Sequence, residues 1–448
     1  MSEHTHICLS FHPSEYHIAD NPYICELLIL SNETYMILAC SILFMLLSAA
    51  AEYVILKSGI PGMPKKWMRT AYTTATALVW IAFFGGIVLT VITTNFDPGI
   101  IARAVGASLV LFLWNGLCKI IGAIAVLANR KKRNRTANVT AAILIFAATA
   151  TILYGTTAGR RNIRTETIRI ETDKLSQDSE GLRVALFSDM HTGVLPDRYD
   201  MIEEMVGKIN SMDADIVINC GDIANYDYRE LDERIVGTLS RIESRYGVYA
   251  VLGNHDLGIY IRDTVYLPPQ QNIDTLTALQ WNIGWHVLRN ETVTIPAGHD
   301  TITITGLDYP AELVHRSHHR LSDTTDFSTA YAGVRDDLFN LTVSHAPQAW
   351  NDVKELGYGD LTVSGHVHSM QMKITLGKWL RWSPAALLYD QWSGRYDDNG
   401  HTLYVNDGIG CAMLPMRIGT RPEITLLEIV PAKREATKRR DNSDYTTP

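Results

Sequence analysis

Up to about residue 160 the apolar residues run in long blocks, and beyond it they come in short runs separated by charged and turn-forming residues. A bilayer core about 30 Å thick takes roughly 20 apolar residues in a helix, because a helix satisfies its own backbone polar groups. Four stretches meet that length, residues 35–56, 72–93, 104–127 and 139–157, with Glu52 and Lys119 the only strong charges inside them. The first has no basic region before it and begins far from residue 1, so it is expected to stay in the mature protein rather than be cleaved as a signal peptide. The pattern divides the chain into a transmembrane region, 1–160, a folded region, 165–432, and a flexible polar tail, 433–448.

Lys and Arg in the short loops set the expected orientation. Residues 1–34 carry none, whereas the first loop has Lys57, Lys65, Lys66 and Arg69 and the third has Arg130, Lys131, Lys132, Arg133 and Arg135. These nine face the cytoplasm on this reading, which sends both chain ends and the folded region to the other side. Arg103, Arg160, Arg161 and Arg164 oppose that assignment. Lys119 and Glu52 fall in the same half of the bilayer, where snorkelling or mutual pairing explains them more simply than an ion path.

After residue 165, apolar strands alternate with amphipathic helices. Residues 182–188, 214–219, 248–252, 341–343 and 361–363 read as buried strands, and 200–211 and 232–246 as helices. Each strand runs into polar residues: Asp189 and His191; Gly221 and Asp222; Asn254, His255 and Asp256; His345; His366 and His368. Loops leaving strand ends in layered α/β folds converge on ligand sites, and glycine at such turns lets the backbone bend and approach closely. The residues delivered are Asp, His and one Asn, a donor set that suits hard to borderline divalent cations.

The overall composition, 46% hydrophobic with a net charge of -8, averages two unlike regions and offers no basic stripe for a nucleic-acid backbone. Nucleic acid is therefore not an expected partner. Cys8, Cys25, Cys40, Cys118, Cys220 and Cys411 show no C-x-x-C spacing, which removes zinc-ribbon and dithiol redox chemistry. Cys8 and Cys25 are either a pair or two free thiols. Segment 311–327, with His315, His318, His319 and Arg320, reads as a solvated loop or as a rim recognising substrate phosphate. Trp379, Trp382 and Trp392 read as strand-edge packing or as the lining of an apolar groove.

In order, the motifs Asp189-Met190-His191, Gly221-Asp222, Gly253-Asn254-His255-Asp256, His345 and Gly365-His366-Val367-His368 resemble the calcineurin-like metallophosphoesterases. The resemblance covers about residues 182–430 and is closest to the bacterial membrane-associated branch, through 403–410 and 421–424. That branch usually follows its last histidine with two glycines and a glutamine; here the residues are Ser369, Met370 and Gln371.

The resemblance implies an α/β fold, a four-layer α/β/β/α sandwich; the apolar stretches place four transmembrane helices before it, and the loop charges place the catalytic domain on the extracytoplasmic side of what is expected to be a bacterial inner membrane. It assigns Asp189, His191 and His368 to one divalent ion, Asn254, His345 and His366 to a second, and Asp222 to both. Manganese, iron or zinc would fit. Such a pair clamps phosphoryl oxygens and generates hydroxide near neutral pH for in-line attack. His255 would be the general acid, and Asp256 either its orienting partner or a turn cap. The implied reaction is hydrolysis of phosphomonoesters or phosphodiesters, with a lipid or envelope-linked substrate favoured by the tether. The alternatives are hydrolysis of a nucleotide-glycolipid pyrophosphate, which such enzymes mostly meet at the cytoplasmic face, or a non-catalytic membrane scaffold or sensor.

Overall fold

The computed structural model describes residues 32–58, 66–92, 98–129, 134–261, 267–310, 325–377, 379–412 and 414–432. Cys8, Cys25, most of segment 311–327 and the tail 433–448 lie outside the described residues. Four helices, α1 (Asn32–Ser58), α2 (Lys66–Ile92), α3 (Pro98–Ala128) and α4 (Arg135–Thr156), are long and apolar enough to cross a membrane. The chain forms two compact units, Met1–Pro64 with Gly116–Ala141, and Lys65–Asn115 with Ala142–Pro448.

Within the first unit, Lys119 Nζ lies 2.8 Å from Glu52 Oε2, and Lys119 is buried. An isolated charge there would carry an uncompensated desolvation cost, so pairing accounts for both residues. Within the second, Phe83 on α2 stacks on Phe112 of α3 at 4.1 Å, with Trp80 edge-on to the same ring.

The α/β part of the second unit contains two six-stranded sheets. One has the order β1 (Arg164–Thr172), β14 (Glu423–Pro431), β2 (Leu182–Phe187), β3 (Ile216–Asn219), β4 (Val248–Ala250) and β5 (Trp285–Val287). The other has the order β12 (Gly394–Asp398), β13 (His401–Val405), β9 (Leu361–Ser364), β8 (Phe339–Ser344), β7 (Asp300–Leu307) and β6 (Glu291–Ala297). Strands β2 to β5 run parallel, as do β7, β8, β9 and β13. In the first sheet β2 and β3 are largely apolar on both faces, as a sheet covered on both sides requires, whereas β8 and β9 of the second alternate apolar residues with buried Asn, Thr and Ser. Leu186, Ile216 and Ile218 from the first sheet pack against Ile304, Leu341 and Val363 from the second. The outer face of the first sheet is covered by α5 (Arg198–Asn210), α6 (Glu233–Leu239) and α7 (Pro269–Asn282) through Met205, Ile235 and Leu276. The short helices α8 (Phe327–Ala330) and α9 (Ala349–Glu355) contribute Ala330 and Val353 on the other side.

Helix α6 stops well short of residue 246, where periodicity alone would carry it. After Ser240 the backbone turns so that Arg245 N donates to Ala214 O and Tyr246 N to Asp215 O, while Asn210 accepts from Glu243 N. Those bonds align the chain to enter β4 and outweigh continued helix.

The last turn of α4 is sewn to the α/β part. Arg417 N donates to Gly155 O at 3.0 Å, and Ile418 lies against Gly155. The Arg417 side chain is fully buried and donates to the carbonyls of Asp407, Gly408 and Gly410. A Cβ at Gly159 would collide with the Arg417 carbonyl. Overpacking of this kind costs about 1–3 kcal/mol. Gly159→Ala should therefore lower the thermal unfolding midpoint of the full chain in detergent, whereas Gly207→Ala, in open space on α5, should not. Equal midpoints for Gly159→Ala and the parent would contradict this seam.

Candidate metal centre

Asp189, Asp222, Asn254, His345 and His366 each sit just beyond the C-terminal end of a parallel strand, β2, β3, β4, β8 and β9 respectively. The two sheets thus aim five loops at one point. His191 follows two residues after Asp189, and His368 two after His366. Asp189, His191, Asp222, His366 and His368 all have positive φ, between 46° and 72°. Each such non-glycine residue costs of order 1 kcal/mol, a cost the surrounding packing has to bear. Gly253 and Gly365 allow the loops to close on one another, since a Cβ would strike the Asp222 carboxylate at one and Ser188 and Asp189 at the other.

The side chains converge as three groups, Asp189 with His191 and His368, His191 with Asp222 and His255, and Asp222 with His345 and His366, the middle one sharing a residue with each of the others. His368 Nε2 is 3.0 Å from Asp189 Oδ1 and 3.2 Å from His191 Nε2. Asp222 Oδ2 lies 3.2 Å from His345 Nε2 and 3.8 Å from His191 Nε2, so it stands between the groups. Asn254 Oδ1 lies 3.1 Å from His345 Nε2 and 2.9 Å from His366 Nδ1. Oxygen and imidazole nitrogen donors this close, and nearly all buried, fit divalent cations. All seven residues the motif series singled out are in this cluster.

His255 stands at its edge, its ring centroid 4.6 Å from that of His191. Its Nδ1 donates to the Asn225 carbonyl at 2.6 Å, which leaves Nε2 as the free ring nitrogen. Asp256 does not touch that ring. It accepts from the backbone N–H groups of Asp222, Gly253 and Ala224, tying two site loops together, so of its two expected roles the structure favours the cap. Burial and Asp222 raise its carboxyl to about 7.

Several surrounding residues carried no motif signal. Glu230, raised to about 7 by burial, accepts from Asn225 N, Tyr226 N and Gly193 N and fixes the loop that orients His255. Tyr260 packs on His255 at 4.3 Å and accepts from Asn254 Nδ2. Tyr309 and Tyr389 flank His366 at 5.7 and 6.0 Å. Arg417 Nη2 is 3.4 Å from His368 Nδ1, and Arg103 from α3 donates to Gly193 O at 2.9 Å. Aromatic residues and arginines of this kind show only by position, which no local spacing encodes.

Ser369, Met370 and Gln371 occupy the left-handed region, with φ of 51°, 43° and 60°. The backbone thus keeps a glycine-like path without glycine. Ser369 Oγ donates to buried Asp407, and Gln371 Nε2 to Ala412 O, which offsets part of the strain. Trp392 is buried with Trp350 and Val367, in keeping with packing, whereas Trp379 and Trp382 stand on an exposed hairpin.

Burial alone would raise the Asp189 carboxyl, but His368, His345 and His191 hold it well below the usual range. Burial likewise opposes charge on His345, yet Asp222 and Asp189 raise it to about 9. Burial and the neighbouring His345 lower His366 to about 3. Since Nδ1 of His345 is committed to Cys220 O, a cation reaching this residue has to take Nε2 and displace its proton. Between pH 6 and 8, metal affinity should rise with pH, by up to about tenfold per unit for one displaced proton. Calorimetry in two buffers of different ionisation enthalpy would count that proton; pH-independent affinity with no proton release would contradict it.

Residues 182–370 match the family model of calcineurin-like phosphoesterases. A bovine (Bos taurus) transmembrane protein with metallophosphoesterase domain is 27% identical over 277 residues, 58% of this chain and 56% of that protein. The uncharacterized metallophosphoesterase YkoQ of Bacillus subtilis (strain 168) is 25% identical over 301 residues, 64% of this chain and 97% of its own. The UDP-2,3-diacylglucosamine pyrophosphatase LpxG of Chlamydia trachomatis is 25% identical over 288 residues, 55% and 83% of the two chains. The match thus spans little more than half of the bovine relative and most of the two bacterial ones. Residues 182–370 are thus similar to the calcineurin-like phosphoesterases, and the motif series of that region folds into one buried cluster.

Proposed function

We propose that the protein is a membrane-anchored phosphoesterase that hydrolyses phosphomonoesters or phosphodiesters at a centre for two divalent cations. The observation that carries this reading is the buried cluster itself: seven oxygen and nitrogen donors from five strand ends, with Asp222 between two groups. Asp189, His191 and His368 would hold one cation, Asn254, His345 and His366 the other, and Asp222 both. Manganese, iron or zinc bound there would supply Lewis acidity toward the phosphoryl group and an attacking water.

The chain's own residues provide the rest. His255, with Nδ1 anchored on Asn225 O, presents Nε2 to the site and in its protonated form can donate to the leaving oxygen. Glu230 maintains that geometry by holding the Asn225 amide, and Tyr260 limits ring rotation from the other side. The full donor set, together with His255, favours an enzyme over a scaffold.

A lipid or envelope-linked substrate accords with the four candidate spans. The LpxG relative, named a pyrophosphatase of a nucleotide-linked glycolipid, gives a second reading in which a pyrophosphate bond is cleaved. The four arginines that oppose an extracytoplasmic domain in simple charge counting have structural partners. Arg103 binds Gly193 O, Arg160 binds Thr156 O, Arg161 pairs with Asp197, and Arg164 pairs with Glu166, Asp407 and Glu423. Their place at the span ends follows from the fold, which supports an extracytoplasmic catalytic domain in a bacterial inner membrane.

The full chain, stripped of metal and given manganese, iron or zinc, should hydrolyse an aryl phosphodiester or monoester. Asp222→Asn should abolish turnover and weaken metal binding. His255→Ala should retain its metal and lose about 10²- to 10⁴-fold in rate. Metal lost together with rate in His255→Ala would make His255 a ligand instead, and full activity in Asp222→Asn would sink the two-cation reading.

A further inference from the structure

Strands β10 (Ile374–Leu376) and β11 (Leu380–Trp382) form a separate two-stranded hairpin outside both large sheets. Its register pairs Ile374 with Trp382, Thr375 with Arg381 and Leu376 with Leu380. Strand side chains alternate between faces, so Ile374, Leu376, Leu380 and Trp382 share one face and Thr375 and Arg381 the other. All six residues are exposed, and from the polar face the Arg381 guanidinium reaches to 4.8 Å from the ring of buried Trp392. On the apolar face Leu376 is 63% exposed, and Trp379 at the tip is 87% exposed. A contiguous run of exposed Ile, Leu and Trp on one face is what a surface that meets something apolar presents.

The place of the hairpin says what covers this face. Met372, two residues before Ile374, bridges to Ile418, and Lys373 N donates to Ile418 O. Ile418 packs on Gly155 in the last turn of α4. The apolar face therefore starts at the end of a candidate membrane span. Trp and Leu next to Lys and Arg at a span end are the composition of a bilayer interface. Along the chain the hairpin lies between His368 and Tyr389, whose ring packs near His366, with exposed Leu387 just before Tyr389.

We propose that hairpin 374–382 seats in the interfacial layer of the membrane crossed by α4, so that the metal centre opens onto lipid headgroups. Its substrate is then a phosphoester whose acyl chains remain in the bilayer. The seating rests on α4 as a span, and only the substrate class rests on the phosphoesterase reading.

Hydroxyl-radical footprinting of the full chain in phosphatidylcholine–phosphatidylglycerol nanodiscs, read by mass spectrometry, tests the seating without an activity measurement. Trp281 on α7, 61% exposed, is the internal reference. Trp379 should be oxidised on the order of tenfold more slowly than Trp281, as for a side chain in the interface. Leu376→Glu/Trp379→Glu should slow hydrolysis of a phosphodiester lipid in the same nanodiscs while leaving a soluble aryl phosphodiester unaffected. Trp379 reacting as fast as Trp281 overturns the proposal and leaves the face to a protein partner. Equal loss on both substrates overturns the lipid class. Protection of Trp379 without turnover of any phosphoester supports the seating and counts against the phosphoesterase reading instead.

Discussion

The constraint on which the rest of the structure depends is the burial of two carboxylates and four imidazoles within a few ångströms of one another. Asp189 and Asp222 repel, and neither can be solvated where it stands. The fold answers with fixed donors: His366 N for Asp189, His255 N for Asp222, and a proton on His345 shared between Asp222 and Asn254. A cation does the same work with more charge, so the protein is organised around positions where positive charge is favourable. The left-handed backbone at five of these residues shows that the arrangement is not locally comfortable. It persists because each strained residue follows a strand locked in a two-sided apolar core.

That core was the most legible part of the chain. The run Leu182–Phe187 is apolar beyond what a half-exposed strand needs, Phe339–Ser344 alternates apolar and polar residues as a strand does, and the polar residues that follow both sit where parallel strands deliver ligands. The convergence of Asp189, Asp222, Asn254, His345 and His366 was readable for the same reason, since each closely follows a strand, with His191, His255 and His368 within two residues of one of them. Less was legible where partners come from far along the sequence. Asn225 orients His255 through a backbone carbonyl, which any residue type would offer, so the pattern pointed to Asp256 equally well. Strand β1 and the edges β6 and β12 lack buried alternation strong enough to announce themselves, and α6 ended early because of bonds to residues 214 and 215.

Arg417 links the end of α4 to the loops of the metal centre. It is a fully buried cation, which costs several kcal/mol unless every donor is used. Its head is consumed by carbonyls of the 407–410 loop and reaches to 3.4 Å from His368, while its own backbone holds the last turn of α4. Asp407 in that loop, held low by Lys373 and Arg164 against the effect of burial, joins Ser369 to β1. One side chain therefore separates a candidate membrane span from a candidate metal ligand.

The anchor consequently does more than keep the domain nearby. Arg103 near the start of α3 grips Gly193, two residues after His191, and Gly155 near the end of α4 grips Arg417 beside His368. In a consecutive pair of spans those two ends lie on the same side of the bilayer. The loops carrying His191 and His368, whose Nε2 atoms are 3.2 Å apart, are thus each tied to a different helix. Each of these ties is a hydrogen bond to a backbone carbonyl, so the register of both loops against the span ends is set by main-chain groups and not by side-chain identity alone.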